Sequence, residues 1–398
     1  MATLRFLPPT LPLTLPLPLS LPQPRPLTLP LTLPLTLPMT APAAFAIPAL
    51  DGLRALAVTL VFLAHSGLEG QVPGGLGVTV FFVLSGYLIT TLLRREQART
   101  GRIDLRAFWA RRLLRLMPPL LLVLLATVAL SQAGWIDGRY TPGGFLAALF
   151  YAGNLHAIAQ DFHGLPAGVG VVWSLAIEEH FYLLYPLLAA WLLRRASPAG
   201  AVALLLVLCG VVLAWRLVLV GQGAGADRIG MGTDTRIDAI LAGCALALWR
   251  PPELATDGRA RRRHALAPAG AALACLAVLL ASIAWREPVF RETLRYTLQA
   301  GAVAGLMHLA VRHARQAPAR WLDHPVLVWL GSVSYTVYLA HHVILLGVAR
   351  RWPQLDWPMR TGLALLLMLA LAWAMQRAVE RPCARLRQRF QPVGGRAR

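Results

Sequence analysis

The 398-residue chain has no lysine, only 18 acidic residues and only four cysteines, and charged residues make up 14% of it. A soluble globular chain carries roughly 25% charged residues, so this scarcity argues against an ordinary water-exposed surface. Cys209, Cys244, Cys275 and Cys383 have no metal-ligand spacing, and three lie inside apolar runs, so no disulfide framework is implied. There is no H-E-x-x-H motif or Cys/His cluster, and no bound metal is expected. What fills the chain is apolar: 57% of residues are hydrophobic and the mean hydropathy is +0.58. Apolar runs of about 20 residues recur, each long enough to cross roughly 30 Å of hydrocarbon. The composition predicts an all-α polytopic membrane protein and excludes a secreted disulfide scaffold or an ordinary cytosolic enzyme.

Apolar periodicity and arginine-bearing loops predict about ten transmembrane helices, near 52–68, 75–93, 117–135, 171–193, 200–220, 235–249, 267–285, 294–311, 326–349 and 361–379. On one side the loops and the tail hold 24 arginines, against 9 on the other, which places both termini in the cytoplasm. The net charge of +20 therefore reads as topology and membrane-surface contact, not as nucleic-acid binding. The run at 145–159 is read as an interfacial or re-entrant segment, because an eleventh span would reverse every later loop. Residues 1–48 form a Leu/Pro/Thr-rich tail, disordered because proline recurs too often for a helix. A mis-called start, with Met39 as the true one, is one expected explanation. The integral-membrane domain is expected over 49–385 and a basic cytoplasmic tail over 386–398.

Ionisable residues inside hydrocarbon cost roughly 2.5–3.5 kcal/mol each on insertion scales and are functional candidates by default. Arg54 and His65 in the first span are eleven residues apart, which returns them to within about 20° of one helix face. A helix-end arginine and a hydrogen-bonded core histidine are the plainer alternative. Glu178, Glu179 and His180 lie about two turns below the outer end of the fourth span, too deep for all three to reach water, with a shallow helix start in the interface as the plainer alternative. Asp238 opens the sixth span with Asp234 and Arg236, where a surface salt bridge is an equal account. In the ninth, Ser334, Tyr338 and His341 share a face while His342 points about 100° away. Span direction puts the histidines and the carboxylates at one outer depth, as a buried acid–base site needs. Arg111, Arg112 and Arg115 lie on the inner side, where guanidinium forks suit phosphate or an anionic lipid surface.

Seven segments, LDGLRALAV…H, GGLGVTVFFVLSGYLIT, FWARRLLRLMPP, VWSLAIEEHFYLLYP, IDAILAG, SYTVYLAH and VERP, occur in this order between residue 50 and about residue 385. Together they resemble the acyltransferase-3 family of integral-membrane acyltransferases, which includes O-antigen and peptidoglycan O-acetylases. The resemblance implies that Arg54 and His65 are the essential first-span pair and that Ser85 belongs to the F-F-x-x-S-G-x-L segment. It also implies that Arg112 and Arg115, with Arg111, hold the acyl-CoA donor, and that Glu178 and Glu179 form the W-S-L-x-x-E-E element. Some members fuse an esterase-like domain after the spans. This chain stops about twenty residues past its last one, so the acceptor step is expected in the membrane domain or on a separate partner protein.

The expected activity is transfer of an acyl group, acetyl first among candidates, from cytoplasmic acyl-CoA to a hydroxyl of an envelope or extracellular carbohydrate or glycolipid. The expected site is the inner (plasma) membrane. His65 would act as base, with Glu178 or Glu179 orienting it; Arg54, Ser85, Asp238, Tyr338 and His341 would support them. An acyl-histidine intermediate is the other role open to His65. The rival class is a transporter or flippase using the polar stripe as a path, although no inverted pair of broken helices is present. A non-catalytic scaffold would not need aligned buried ionisable groups.

Overall fold

The computed structural model describes residues 47–251 and 266–390. The expected N-terminal tail, except its last two residues, lies outside the described residues, as do most of the 250–266 loop and the last eight residues. Everything described between Ile47 and Phe390 belongs to one compact helical unit.

Its helices run α1 Leu50–His65, α2 Gly74–Thr100, α3 Leu105–Gln132, α4 Pro142–Leu149, α5 Gly153–Gln160, α6 Trp173–Arg195, α7 Pro198–Gly221, α8 Ala226–Met231 and α9 Thr233–Trp249. They continue with α10 Leu266–Ala284, α11 Pro288–Glu292, α12 Leu294–Arg312, α13 Pro325–Ser332, α14 Ser334–Arg351, α15 Trp357–Met375 and α16 Arg381–Gln388. Local chemistry sets many of the boundaries. Asp104, Thr141, Ser197 and Asp356 each accept a backbone N–H three residues on, and proline follows the last three within the first turn. Gly101, at φ 75°, ends α2 in a left-handed cap.

Nine of the ten expected spans coincide with single helices, α1 and α9 being the shortest of them at 16 and 17 residues, and one is corrected. The ninth is not a single rod: α13 and α14 meet at Val333 with a bend of 72°. The local sequence Gly-Ser-Val-Ser is poor in helix formers, and Ser332 Oγ donates to Trp329 O, drawing the backbone out of the ladder. The 145–159 run is likewise interrupted, because Tyr151 takes φ 57° between α4 and α5. Among the described residues four helices or helix runs are long and apolar enough to cross a membrane, five if the bent α13–α14 pair is one span. The shorter or more polar α1, α6 and α9 carry Arg54, His65, Glu178, Glu179 and Asp238.

The protein is a multi-pass membrane protein with its polar groups turned inward. Leu184, Leu206, Val207 and Leu366 are exposed, as lipid-facing side chains are, while Thr90, Asn154, Arg216, Asp238 and His341 are buried. At its centre α2 packs on α9, flanked by α1 and α7. This contact depends on two glycines. A Cβ at Gly86 would fall inside the carbonyl of Ile240, and one at Gly243 inside the carbonyl of Val83. Small residues let helix backbones approach in this way where apolar burial no longer drives association.

Gly243→Val should therefore destabilise the fold by at least the 1–3 kcal/mol typical of overpacking. Gly362→Ala, where added volume meets nothing, should be neutral or mildly stabilising. Thermal unfolding of the detergent-solubilised variants measures both.

Candidate active site

α1 ends at His65, opposite the middle of α14. His65 Nδ1 lies 2.9 Å from Val61 O, one turn back, and 3.3 Å from His341 Nε2. His341 Nδ1 lies 2.7 Å from Tyr338 O, also on its own helix. A carbonyl only accepts, so each Nδ1 facing one carries the proton. His341 Nε2 is then a lone pair that accepts from His65 Nδ1–H, which is shared with Val61 O. In the neutral ring the lone pair of His65 is then on Nε2, which makes no hydrogen bond among the described residues. The ring of His342 completes the cluster, its centroid 5.0 Å from that of His65, the same separation as His341. The hundred degrees between adjacent helix positions do not remove His342 from the site, because His65 lies between the two. Among the described residues no three His, Cys, Asp or Glu side chains form a metal-holding group.

Tyr338 joins this cluster to a second feature, a cavity of about 70 Å³. Its polar wall includes Arg54, Ser85, Arg112, Arg115, Glu178 and Tyr338. Six sequence-predicted residues from five helices therefore share one space. Glu178 is fixed by two donors: Ser85 Oγ gives to Oε1 at 2.9 Å and Tyr182 Oη to Oε2 at 3.1 Å. The Arg112 guanidinium stacks 3.7 Å from the centre of the Tyr182 ring, and Trp109 Nε1 donates to Tyr182 O. Tyr338 Oη pairs with Ser174 Oγ at 2.6 Å and gives to Val171 O at 3.0 Å. Arg54 holds Asp51 at 2.6 Å, leaving part of its fork for the cavity.

Several expectations are redrawn by this geometry. Glu178 does not orient His65: both its oxygens serve Ser85 and Tyr182, and the groups on His65 are Val61 O and His341. Equal depth along the spans gave the wrong neighbours because α6 turns Glu178 toward the arginine side. Glu179 Oε1 is buried without a hydrogen-bond partner, off the cavity wall. Arg111 is also off that wall, bound to Glu96 Oε2 at 2.9 Å and to Phe390 O at 2.6 Å. Asp238 is neither at the surface nor in the cavity. Arg216 Nη2 meets its Oδ2 at 2.7 Å, with the two side chains 0% and 1% exposed, and Thr297 Oγ1 donates to the same oxygen. Sequence reasoning missed Arg216, Tyr182, Ser174 and His342. A visible signal existed for the first, a lone charge inside the apolar run GVVLAWRLVLV.

An acyltransferase domain model matches residues 47–377. The chain belongs to the acyltransferase-3 family. Among curated proteins, this acyltransferase-3 chain is 34% identical over 312 residues to the Bacillus subtilis (strain 168) protein named "Putative peptidoglycan O-acetyltransferase YrhL", covering 75% of this chain and 48% of that protein. It is 34% identical over 346 residues to O-acetyltransferase OatA of Staphylococcus aureus (strain NCTC 8325), covering 84% of this chain and 57% of that one. The chain spans about half the length of the curated relatives it matches. No solved structure matches it significantly.

Within this acyltransferase-3 domain the Arg216–Asp238 pair ties α7 to α9 and, through Thr297, to α12. Removing one partner of a buried pair leaves an uncompensated charge, at about 3–5 kcal/mol. Arg216→Met should lower the melting temperature sharply, and adding Asp238→Leu should restore most of the loss. A double-mutant cycle from thermal melts measures this.

Proposed function

We propose that the protein transfers an acetyl group from cytoplasmic acetyl-CoA to a carbohydrate hydroxyl of the cell envelope, at the outer face of the plasma membrane. Peptidoglycan is the first acceptor to test, from the names its relatives carry. In this reading a ten-span domain over 49–385 has both ends in the cytoplasm, the arginine wall faces inward and His65 faces outward. The observation that carries the proposal is the unpaired Nε2 of His65, in a tautomer fixed by two carbonyls and His341, beside an arginine-lined cavity.

The chemistry follows from that lone pair. A sugar hydroxyl is a poor nucleophile at neutral pH, and a positioned base supplies about 10²–10⁴-fold. His65 Nε2 takes the hydroxyl proton as the oxygen bonds to the thioester carbonyl carbon. The C–S bond then breaks, and the proton passes to the coenzyme A thiolate. The positive charge on the imidazole is shared through Nδ1–H with His341 and the Val61 carbonyl, a neutral version of the third member of a triad. Arg112 and Arg115 bind donor phosphate, and Ser85, Tyr182 and Arg112 hold Glu178 as a fixed negative point on the cavity wall. In the alternative for His65, Nε2 attacks the thioester itself and carries the acetyl group to the acceptor.

The division of roles has a kinetic signature. His65→Ala should abolish acetyl transfer while membrane level and donor affinity stay near wild type. Arg112→Ala with Arg115→Ala should weaken donor binding, each charge-assisted contact being worth roughly 1.5–3 kcal/mol. Saturating acetyl-CoA should then rescue the arginine variant and not the histidine variant. Steady-state kinetics on purified protein with defined donor and acceptor makes the comparison. Turnover by His65→Ala above a few per cent of wild type would remove its catalytic role.

A further inference from the structure

The segment after the last long helix carries Arg381, Arg385, Arg387 and Arg389, and in the sequence it reads only as a basic cytoplasmic tail. The structure separates these four. Arg381, Arg385 and Arg389 are exposed, whereas Arg387 is half-buried. It is turned into the molecule because α16 packs against α3, the helix that carries Arg111, Arg112 and Arg115. The docking is tethered beyond the end of α16, where Arg111 Nη1 donates to Phe390 O at 2.6 Å. Arg111 is itself fixed by Glu96, whose other oxygen accepts from Asp104 N at 2.8 Å. Arg111 thus serves as the anchor of the C-terminal helix.

Arg387 feels both Arg112 and, with opposite sign, the Glu380 carboxylate. Arg115 lies in the field of Arg112, Arg54 and Arg387. The acid nearest along the chain, Glu380, accepts from Thr336 Oγ1 at 2.6 Å. Among the described residues no carboxylate stands within ion-pair distance of Arg112, Arg115 or Arg387. The Nε atoms of Arg112 and Arg387 are both screened from solvent without a hydrogen-bond partner. Like charges gathered in a partly desolvated place repel each other, and an anion among them relieves the repulsion. Arginine forks match the oxygens of a phosphate, which brings two or more negative charges in one group.

We propose that Arg387 joins Arg112 and Arg115 as the third arm of a phosphate site, making α16 a working part of donor binding. The inference rests on the acetyl-CoA reading above. In this arrangement Arg112 and Arg115 face both the cavity and the C-terminal helix. The acyl end of the donor lies in the cavity and its phosphates lie between α3 and α16. The shared chemistry is a phosphate group, which coenzyme A and an anionic lipid headgroup both offer, and the test separates the two.

The full chain, in nanodiscs of phosphatidylcholine alone, is titrated with coenzyme A as wild type, Arg387→Ala, Arg387→Lys and Arg389→Ala. Arg387→Ala should weaken coenzyme A by about tenfold or more, the loss of one charge-assisted contact. Arg387→Lys should lose less, and the exposed Arg389→Ala nothing. With S-acetylpantetheine, a donor with no phosphate, wild type and Arg387→Ala should turn over equally. A mere disturbance of helix docking would slow both donors alike. Repeating the titration with phosphatidylglycerol in the nanodisc tests the lipid source. Equal coenzyme A affinity in wild type and Arg387→Ala would overturn the inference, as would an effect confined to phosphatidylglycerol or an equal loss with S-acetylpantetheine. A wild-type protein that binds no coenzyme A at all would remove the donor reading and this inference together. Unchanged affinity in Arg387→Ala alone would remove only this one.

Discussion

A charged or polar side chain within hydrocarbon must find a partner inside the protein, and this requirement organises the whole molecule. Glu178 is held by Ser85 and Tyr182, Arg112 stacks on Tyr182, Asp238 is clasped by Arg216 and Thr297, and His341 is pinned to Tyr338 O. Most of these pairings join different helices; Glu178–Tyr182 and His341–Tyr338 lie within one helix and fix a side chain for a neighbouring helix to use. The polar network is therefore also the scaffold that sets helix positions, and the apolar side chains left over face outward. The glycine contact turns one side of α2 onto α9 at Gly86, while the adjacent Ser85 meets Glu178 of α6.

The same constraint underlies the proposed chemistry. A histidine whose two nitrogens were both satisfied would be an inert core residue. In His65 one nitrogen is committed to a carbonyl and to His341, and the other is left with its lone pair. On the opposite side of Tyr338 lies an excess of guanidinium groups over acids, lining a cavity. An unsatisfied base and unsatisfied cations are costly to build, and their adjacency is what an acyl transfer from an anionic carrier requires.

Much of this was legible in the sequence. Nine of the ten apolar periods mark single helices and the ninth marks a bent pair, four or five of these being long and apolar enough to span among the described residues, and insertion cost singled out Arg54, His65, Glu178, Asp238 and His341. The cavity gathers Arg54, Ser85, Arg112, Arg115, Glu178 and Tyr338 as a set. What escaped was relative placement. Depth along a span does not fix rotation about it, so Glu178 was assigned to His65 when it faces arginines. Helix periodicity set His342 apart from His341, although a ring lying between them meets both. The break at Val333 falls inside a run that hydropathy reads as continuous. Arg216 is a lone charge in mid-span with no partner visible in sequence, and for Asp238 a surface salt bridge is an equal reading until packing places both inside. Arg387 was one of many tail arginines until packing on α3 distinguished it.

The central claim is that the arginine wall and His65 serve one bound donor. A structure of the protein with a coenzyme A thioether analogue that keeps the acyl carbonyl but cannot transfer it tests this directly. The phosphates should contact Arg112 and Arg115, and the acyl carbonyl carbon should lie within about 6 Å of His65 Nε2, leaving room for one attacking oxygen between them. A donor bound with its acyl end beyond reach of His65, or with its phosphates away from Arg112 and Arg115, would contradict it.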